Sequence, residues 1–284
     1  MPELPEVETI VRSLAPAIRG RRIERAELLF EPLLRRPAQG GLAVLAGKRV
    51  RRVRRRGKMA LIECEGGTSL VFHLKMTGQL LLAAKGAEAP DKHTRLVVKF
   101  RDGGPELRFR DIRKFGFLLC LSGEPEGACP EISGLGPEPL DIALTHFRRI
   151  LNKRKGRIKS LLLNQTIIAG IGNIYADEIL FDAGIHPETP ATALSAKDLG
   201  RLWGSMRKIL ARAIEAKGSS LRDYVDADGR SGGFQFFHRV YDREGEPCAA
   251  CGRPVERIVV GGRGTYFCPS CQRRKGRTKR AGAD

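Results

Sequence analysis

Two groups of residues in this 284-residue chain are of types and spacings that can do chemistry. The first is Cys248-x2-Cys251-x16-Cys268-x2-Cys271. Each Cys-x-x-Cys turn aims two sulfurs at one point, and sixteen residues suffice for a hairpin between the turns. The spacing therefore predicts a four-thiolate Zn2+ site. Four protein ligands leave no position for water or substrate, so the metal would be structural. Disulfides fit poorly in a chain without a secretion signal. Cys64, Cys120 and Cys129 have no partner spacing and read as small core or surface residues. The second group is the opening stretch MPELPEVETI, where Pro2 is followed by Glu3, Glu6 and Glu8. On pattern alone this is the start of a well-capped amphipathic helix. Prolines are tolerated in a first turn, and carboxylates suit the positive end of the helix dipole.

The elements that must position these groups follow from periodicity. Val7, Ile10, Val11, Leu14 and Ile18 fall on one helical face. After Gly20 come short β-like runs, ALIEC, SLVFHL, QLLLA, RLVVKF, ELRFR and FGFLLCL, punctuated by signals such as DGGPE. Many short strands with few helices predict an antiparallel sandwich or barrel. SGLGPEPL at 133–140 reads as a linker, and the texture beyond it is helical. Asn173 is placed to cap a helix ending at Gly184. Ser195 with Asp198 opens a longer helix towards Lys217. Helix pairs joined by a Gly-rich turn resemble helix-turn-helix DNA readers. DADGRSGGF precedes the cysteine-rich segment and reads as a mobile loop.

Charge narrows the partner. Lys+Arg total 51 against 32 Asp+Glu, a formal net charge of +19. That surplus suits a polyanion, nucleic acid first, with a solvated basic surface or anionic lipid as the other readings. The cations are clustered: Gly47–Lys58 holds eight and no acid, and Thr145–Lys159 holds seven and no acid. The tail from Gln272 is basic as well. Arg263, between glycines near the expected hairpin turn, is placed to reach a phosphate. No apolar run approaches the ~20 residues that span a bilayer, so the chain reads as soluble and intracellular.

Five stretches in order, MPELPEVETI, HLKMTGQL at 73–80, RDIRKFG at 110–116, GIGNIYADEILF at 170–181 and the four-cysteine finger, together resemble the bacterial formamidopyrimidine-DNA glycosylases. Singly they are weak; as an ordered set spanning nearly the whole chain they are specific. The resemblance implies an α+β multidomain fold: an N-terminal antiparallel β-sandwich with a flanking helix, a helix–two-turn–helix domain and a C-terminal zinc finger. The expected boundaries are 2–134, a linker at 135–144, 145–235 with a lesion-covering loop near 217–235, 236–275 for the finger, and a disordered basic tail at 276–284. DNA would lie in a cleft between the halves.

By the same resemblance Met1 is removed and the Pro2 amine is the nucleophile of a bifunctional glycosylase and abasic-site lyase. Its substrates would be oxidised purines, 8-oxoguanine and formamidopyrimidines among them. Glu3 would move protons and Glu6 would shape the surroundings of the amine. Lys58 and Arg263 would assist catalysis from the phosphates; on residue type alone, Lys58 is one more strand-edge cation. Met76, Arg113 and Phe115 match the triad that fills the space left by an everted nucleotide; without the match, Met76 and Phe115 read as core. His93, Lys159, Asn173 and Tyr241 complete the expected DNA contacts. The expected partner is damaged duplex DNA, bound by a cytoplasmic monomer without a membrane or an organic cofactor.

Three departures bear on loop geometry: Ser219 and Asp242 stand where glycine is expected, and Thr94 where a second histidine is common. The sister enzyme for oxidised pyrimidines, endonuclease VIII, typically has Gly at the position of Leu4. A non-catalytic DNA-binding protein would not need Pro2, Glu3 and Lys58. A ribosome-associated zinc protein would explain the charge and the cysteines but not the amino terminus.

Overall fold

The computed structural model describes residues 1–274; the expected basic tail at 276–284 lies outside the described residues. The chain forms two compact units, one of Met1–Leu135 with Ala213–Gln235, the other of Gly136–Arg212 with the segment from Phe236 onward.

The first unit starts with α1, Leu4–Ile18, whose predicted face is buried throughout. Nine strands follow: β1 (Ile23–Leu28), β2 (Leu34–Arg36), β3 (Val50–Arg56), β4 (Met59–Cys64), β5 (Thr68–His73), β6 (Gly78–Ala83), β7 (Thr94–Phe100), β8 (Glu106–Asp111) and β9 (Phe117–Ser122). They make a four-stranded sheet in the order β1-β7-β8-β6 and a five-stranded sheet in the order β2-β9-β5-β4-β3. All pairings are antiparallel except β2 with β9. Of the two predicted architectures the molecule is the sandwich. One core takes Ile62, Leu70 and Phe72 from the five-stranded sheet, Leu80, Val98 and Phe109 from the other, and the buried face of α1. The other side of the five-stranded sheet is covered by α2 (Pro125–Ala128) and α3 (Pro130–Ser133), with Ile132 packed on Leu61, Val71 and Leu119.

β3 was hidden in the sequence. VRRVRRR reads as a charge run, yet Val50 and Val53 enter the core while the arginines line an edge strand. Cations are a usual guard for such an edge.

The second unit is helical: α4 (Leu144–Asn152), α5 (Ile158–Leu163), α6 (Asn173–Asp182) and the first part of α7 (Ala196–Glu215). It ends in a zinc-finger hairpin of β10 (Glu256–Val260) and β11 (Arg263–Phe267). The predicted cap of α7 is present: Ser195 N–H donates to Asp198 Oδ2 at 2.9 Å and Asp198 N–H to Ser195 Oγ at 3.2 Å. The helix ends at Glu215, slightly before the expected Lys217. There Lys217 and Gly218 turn left-handed, and Gly218 N–H reaches back to Ala213 O.

The predicted 145–235 boundary and the packing differ. Ala213–Gln235 belongs to the first unit because Tyr224 and Ala227 are part of the sandwich core. Hydrogen bonds secure the segment there: Leu82 N–H donates to Ala227 O at 2.8 Å, and the Gln79 side-chain Nε2 to Asp223 O at 2.6 Å. The sequence reads DADGRSGGF as mobile because it is rich in glycine. Here Asp226 organises it, accepting Asp228 N–H at 3.0 Å and Arg230 N–H at 2.9 Å.

Candidate functional site

In the first unit the residues that follow Met1 are buried. Pro2, Glu3 and Glu6 are all inaccessible, whereas Met1 is exposed. Glu6 Oε2 accepts Glu3 N–H at 2.8 Å, the reciprocal arm expected of a helix-capping acid three residues into the turn. Its other oxygen, Oε1, accepts Ser219 N–H at 2.8 Å. One carboxylate thus ties the start of α1 to the start of the 217–235 segment. A Cβ on Gly218 would stand 2.7 Å from Glu6 Oε1, so the close approach requires glycine there, at φ +77°. Ser219 is a departure without conformational consequence, since the left-handed residue is its neighbour. The Tyr224 hydroxyl adds a bond to Lys217 O at 3.0 Å.

Lys58 occupies the two-residue turn between β3 and β4 and is buried, 7% exposed. Sheet register brings Met59 opposite His73, and His73 opposite Phe117. His73 was not singled out in the sequence, where it reads as the end of an apolar run. Burial, with Lys75, Lys58 and Arg35 close by, pushes its pKa down to about 3, so the ring is neutral at working pH. Nδ1 accepts Lys75 N–H at 3.1 Å. The neutral ring therefore carries its proton on Nε2, where it can be donated.

Met76, Arg113 and Phe115 are all exposed, Met76 by 42% and Phe115 by 49%. Apolar side chains of this size normally enter the core, and the residue-type reading as core does not hold. One buried carboxylate explains how the two loops are held: Asp111 accepts the Thr77 hydroxyl on one oxygen and Gly116 N–H, at 2.7 Å, on the other. Thr77 Oγ1 in turn accepts Arg113 N–H at 3.1 Å. The Arg113 guanidinium lies 4.7 Å from the centre of the Phe115 ring. Beside Met76 and beside Phe115 stands a lysine in the left-handed region, Lys75 at φ +53° and Lys114 at φ +60°, a conformation that costs a non-glycine residue about 1–2 kcal/mol. His93 caps the near end of β7, its carbonyl accepting Asp111 N–H at 2.9 Å. Thr94, where a histidine was expected, gives its hydroxyl to Asp91 Oδ1 at 2.8 Å.

The second unit holds its residues by buried charge. Lys159, one of the expected DNA contacts, is fully buried against protein partners. Its ammonium lies 2.7 Å from Asp177 Oδ1 and donates to Thr265 Oγ1 at 2.8 Å and Gly264 O at 3.2 Å. Asp177 Oδ2 accepts Tyr266 N–H at 3.0 Å. Burial raises the Asp177 pKa to about 7 against the opposing pull of Lys159. Asn173 is the first residue of α6; Gly172 is the cap. The Asn173 amide donates to Gly264 O at 2.9 Å. Lys159, Asn173 and Asp177 therefore fix the backbone of β11 beside Arg263. Arg263 itself is exposed at the strand start, after Gly261 and Gly262 turn at φ +57° and +74°.

Asp177 and Glu178, missed in the sequence, are two acids in succession inside an otherwise apolar helix, and that was their signal. Glu178 accepts the N–H groups of Arg239, Val240 and Tyr241 at 2.9–3.0 Å. This positions Tyr241, whose ring packs edge-on against Tyr266 at 5.3 Å. Asp242, the remaining departure, occupies φ +60°, which explains the expectation of glycine there.

The four cysteines converge, all donor sulfurs lying within 4.8 Å of one another. Cys248 and Cys271 sulfurs are 4.0 Å apart and those of Cys251 and Cys268 3.4 Å. A tetrahedral ion with ~2.3 Å bonds to sulfur needs separations of about 3.8 Å, so the residues fit zinc. The knuckle amides are in place, Ala250 N–H on Cys248 Sγ at 3.4 Å and Cys271 N–H on Cys268 Sγ at 3.5 Å.

Family models match along the chain: the formamidopyrimidine-DNA glycosylase N-terminal domain over residues 1–118, the H2TH domain of the same family over 135–225, and a zinc finger found in FPG and IleRS over 245–274. The formamidopyrimidine-DNA glycosylase of Solibacter usitatus is 48% identical over 96% of this chain and all of its own length. Among solved structures, wild-type Lactococcus lactis Fpg (MutM) bound to DNA containing N7-benzyl-Fapy-dG superposes with a TM-score of 0.87 at 38% identity, covering 96% of this chain and 100% of that one. MutM in complex with DNA containing carbocyclic 8-oxo-G gives 0.85 at 36% identity, with the same coverage. The chain belongs to the formamidopyrimidine-DNA glycosylase family.

Proposed function

We propose that this chain excises 8-oxoguanine and formamidopyrimidine bases from damaged duplex DNA and cuts the strand there, with the Pro2 amine as nucleophile once Met1 is removed. It acts as a monomer in the bacterial cytoplasm. Among the described residues no helix is long and apolar enough to cross a membrane. A terminal amine has a reference pKa of about 7.7–8.0, so a neutral fraction exists near pH 7. Proline's secondary nitrogen attacks C1′ of the deoxyribose. The bond to the base breaks, the base leaves with its electron pair, and it gains a proton. Ring opening, with Glu3 protonating the sugar oxygen, leaves a cationic iminium that acidifies the C2′ hydrogen. Loss of that proton expels the 3′ phosphate, and a second elimination expels the 5′ phosphate. Lys58, neutral His73 and Arg263 serve the phosphates, and Met76, Arg113 and Phe115 fill the vacated stack. The zinc would be held by Cys248, Cys251, Cys268 and Cys271 and would supply only the fold of the hairpin that carries Arg263.

The observation that carries this reading is the burial of Pro2 with Glu3 and Glu6. Glu3 and Glu6 lie at 3% and 1% exposure beside Pro2, and Glu6 ties that end to the 217–235 segment. Capping alone does not need buried acids, because a first turn is served as well at the surface. The test is borohydride reduction of Met-processed protein with a duplex containing 8-oxoguanine. A covalent adduct on Pro2 is expected, and Glu3→Gln should slow strand cutting by about 10²-fold or more, the usual scale of general acid–base assistance. An active preparation that yields no adduct, or a Pro2→Gly variant that cuts normally, overturns the assignment.

A further inference from the structure

The basic run that the fold turns into β3 is only partly used by the chemistry above. Its last residues lead to Lys58, while its first residues lie at the opposite end of the sheet beside the end of α1. The register places Val50 opposite Cys64 and Thr68 opposite Ser122, as far along the strands as possible from Met59, His73 and Phe117. At that far end Gly20 N–H donates to Val50 O at 2.8 Å, Val50 N–H to Arg21 O at 2.9 Å, and Arg101 N–H to Arg22 O at 2.9 Å. Three segments are thus fastened together, each carrying arginines. Arg19, Arg51, Arg52 and Arg101 are exposed, and none makes an ion pair among the described residues. The nearby acids are already engaged: Glu65 is shared by Arg22 and Arg49, and Asp102 pairs with Arg21.

We propose that this arginine cluster is a second binding surface for the sugar–phosphate backbone of duplex DNA, and that it holds a different segment from the one at Pro2. Like charges held together without counter-ions repel one another, and a polyanion relieves that while releasing its own counter-ions. The register argues for a separate segment. Lys58, His73 and the Phe115 loop follow one another across β4, β5 and β9 at the same strand ends, so a duplex touching all three crosses the strands rather than running along them. The cluster lies a strand length away, about 20 Å for seven residues, and a 15-residue α1 spans a similar ~22 Å. Two duplex sites at opposite ends of one unit would let the chain pass from one DNA segment to another without a free intermediate. The proposal rests on the reading that DNA occupies the Pro2 end.

The test tethers the full chain, saturates it with a short duplex carrying a non-cleavable abasic analogue, and measures retention of a labelled undamaged duplex. The intact protein is expected to retain the second duplex. Arg19→Gln/Arg51→Gln/Arg52→Gln should lose at least tenfold, with the salt dependence of capture shallower by about 3 in log–log slope. Cutting of a short 8-oxoguanine duplex should be unchanged, which also shows that the variant folds. Equal retention by the triple variant overturns the proposal, as does an undamaged duplex that binds the intact protein only when the abasic duplex is withheld. If Pro2 forms no adduct while second-duplex retention still depends on the arginines, the catalytic reading fails and the surface stands.

Discussion

The two units expose and bury the less expected of their side chains in opposite ways. In the first, beside the buried Pro2, Glu3 and Lys58, two apolar side chains stand out from the surface on bent backbone: Met76 and Phe115 in solvent, Lys75 and Lys114 left-handed beside them, and the loops held by Asp111 beneath. In the second, Lys159, Asp177 and Glu178 are withdrawn from solvent and fix the backbone of segments bearing Arg263 and Tyr241. If Met76 and Phe115 fill a stack as proposed, they must be exposed, and the cost is solvated apolar surface. The proposed phosphate contacts of Arg263 and Tyr241 would need an accurate backbone more than an extra cation, and there the buried charges serve the frame.

The sharpest way to break this contrast is to unpair the buried charges. Asp177→Ala leaves the Lys159 ammonium buried without its carboxylate, an arrangement that typically costs about 3–5 kcal/mol. The second unit should lose that much in denaturant unfolding followed through Trp203, the only tryptophan, whose Nε1 donates to Ile142 O within that unit. Lys159→Met with Asp177→Leu should recover part of the loss, since paired removal leaves no unpaired charge and orphans only the Tyr266 N–H that Asp177 Oδ2 accepts. If Lys159 met a phosphate instead, Lys159→Met alone would reduce DNA affinity and its salt slope at unchanged stability.

The exposed pair Met76 and Phe115 predicts the converse. Met76→Ala and Phe115→Ala should leave stability within about 0.5 kcal/mol, as surface substitutions do. Cutting of lesion duplexes should fall by at least about tenfold, because the stack left open costs a few kcal/mol. A duplex with the target already unstacked, such as one opposite a bulge, should restore most of the rate. Loss of stability comparable to a large core deletion would mean that these residues pack, and the contrast would disappear.

What could be read beforehand divides along the same line. Periodicity located α1 and six of the nine strands of the sandwich, because burying one face leaves a repeat in the sequence. β3 escaped because the arginines of an edge strand mask its alternation. The four cysteines were legible because metal geometry dictates spacing. Exposure of Met76 and Phe115 was not legible from residue type, since apolar residues enter cores by default; only the likeness of HLKMTGQL and RDIRKFG pointed to it. Lys159 shows the opposite limit: a lysine at the end of a cationic run reads as surface charge. Its burial depends on Asp177 and Thr265, whose approach no local pattern announces.

The smallest effect concerns left-handed residues, and the units should again part ways. Asp242 in the second unit sits at φ +60°, and its carboxylate accepts only the exposed Tyr266 hydroxyl among the described contacts, at 3.3 Å. Asp242→Gly removes a strain of about 1–2 kcal/mol, partly offset by the greater freedom of an unfolded glycine, roughly 0.4–1 kcal/mol. A net gain on the order of 0.5 kcal/mol in unfolding, with cutting unchanged, is expected. Lys114→Gly in the first unit should give a similar gain. Yet it frees the backbone between Arg113 and Phe115, so cutting should slow even as stability rises. Equal behaviour of the two variants in both assays would show that the bent backbone of the wedge loops does not serve the lesion, and that the strain there is incidental to the turn.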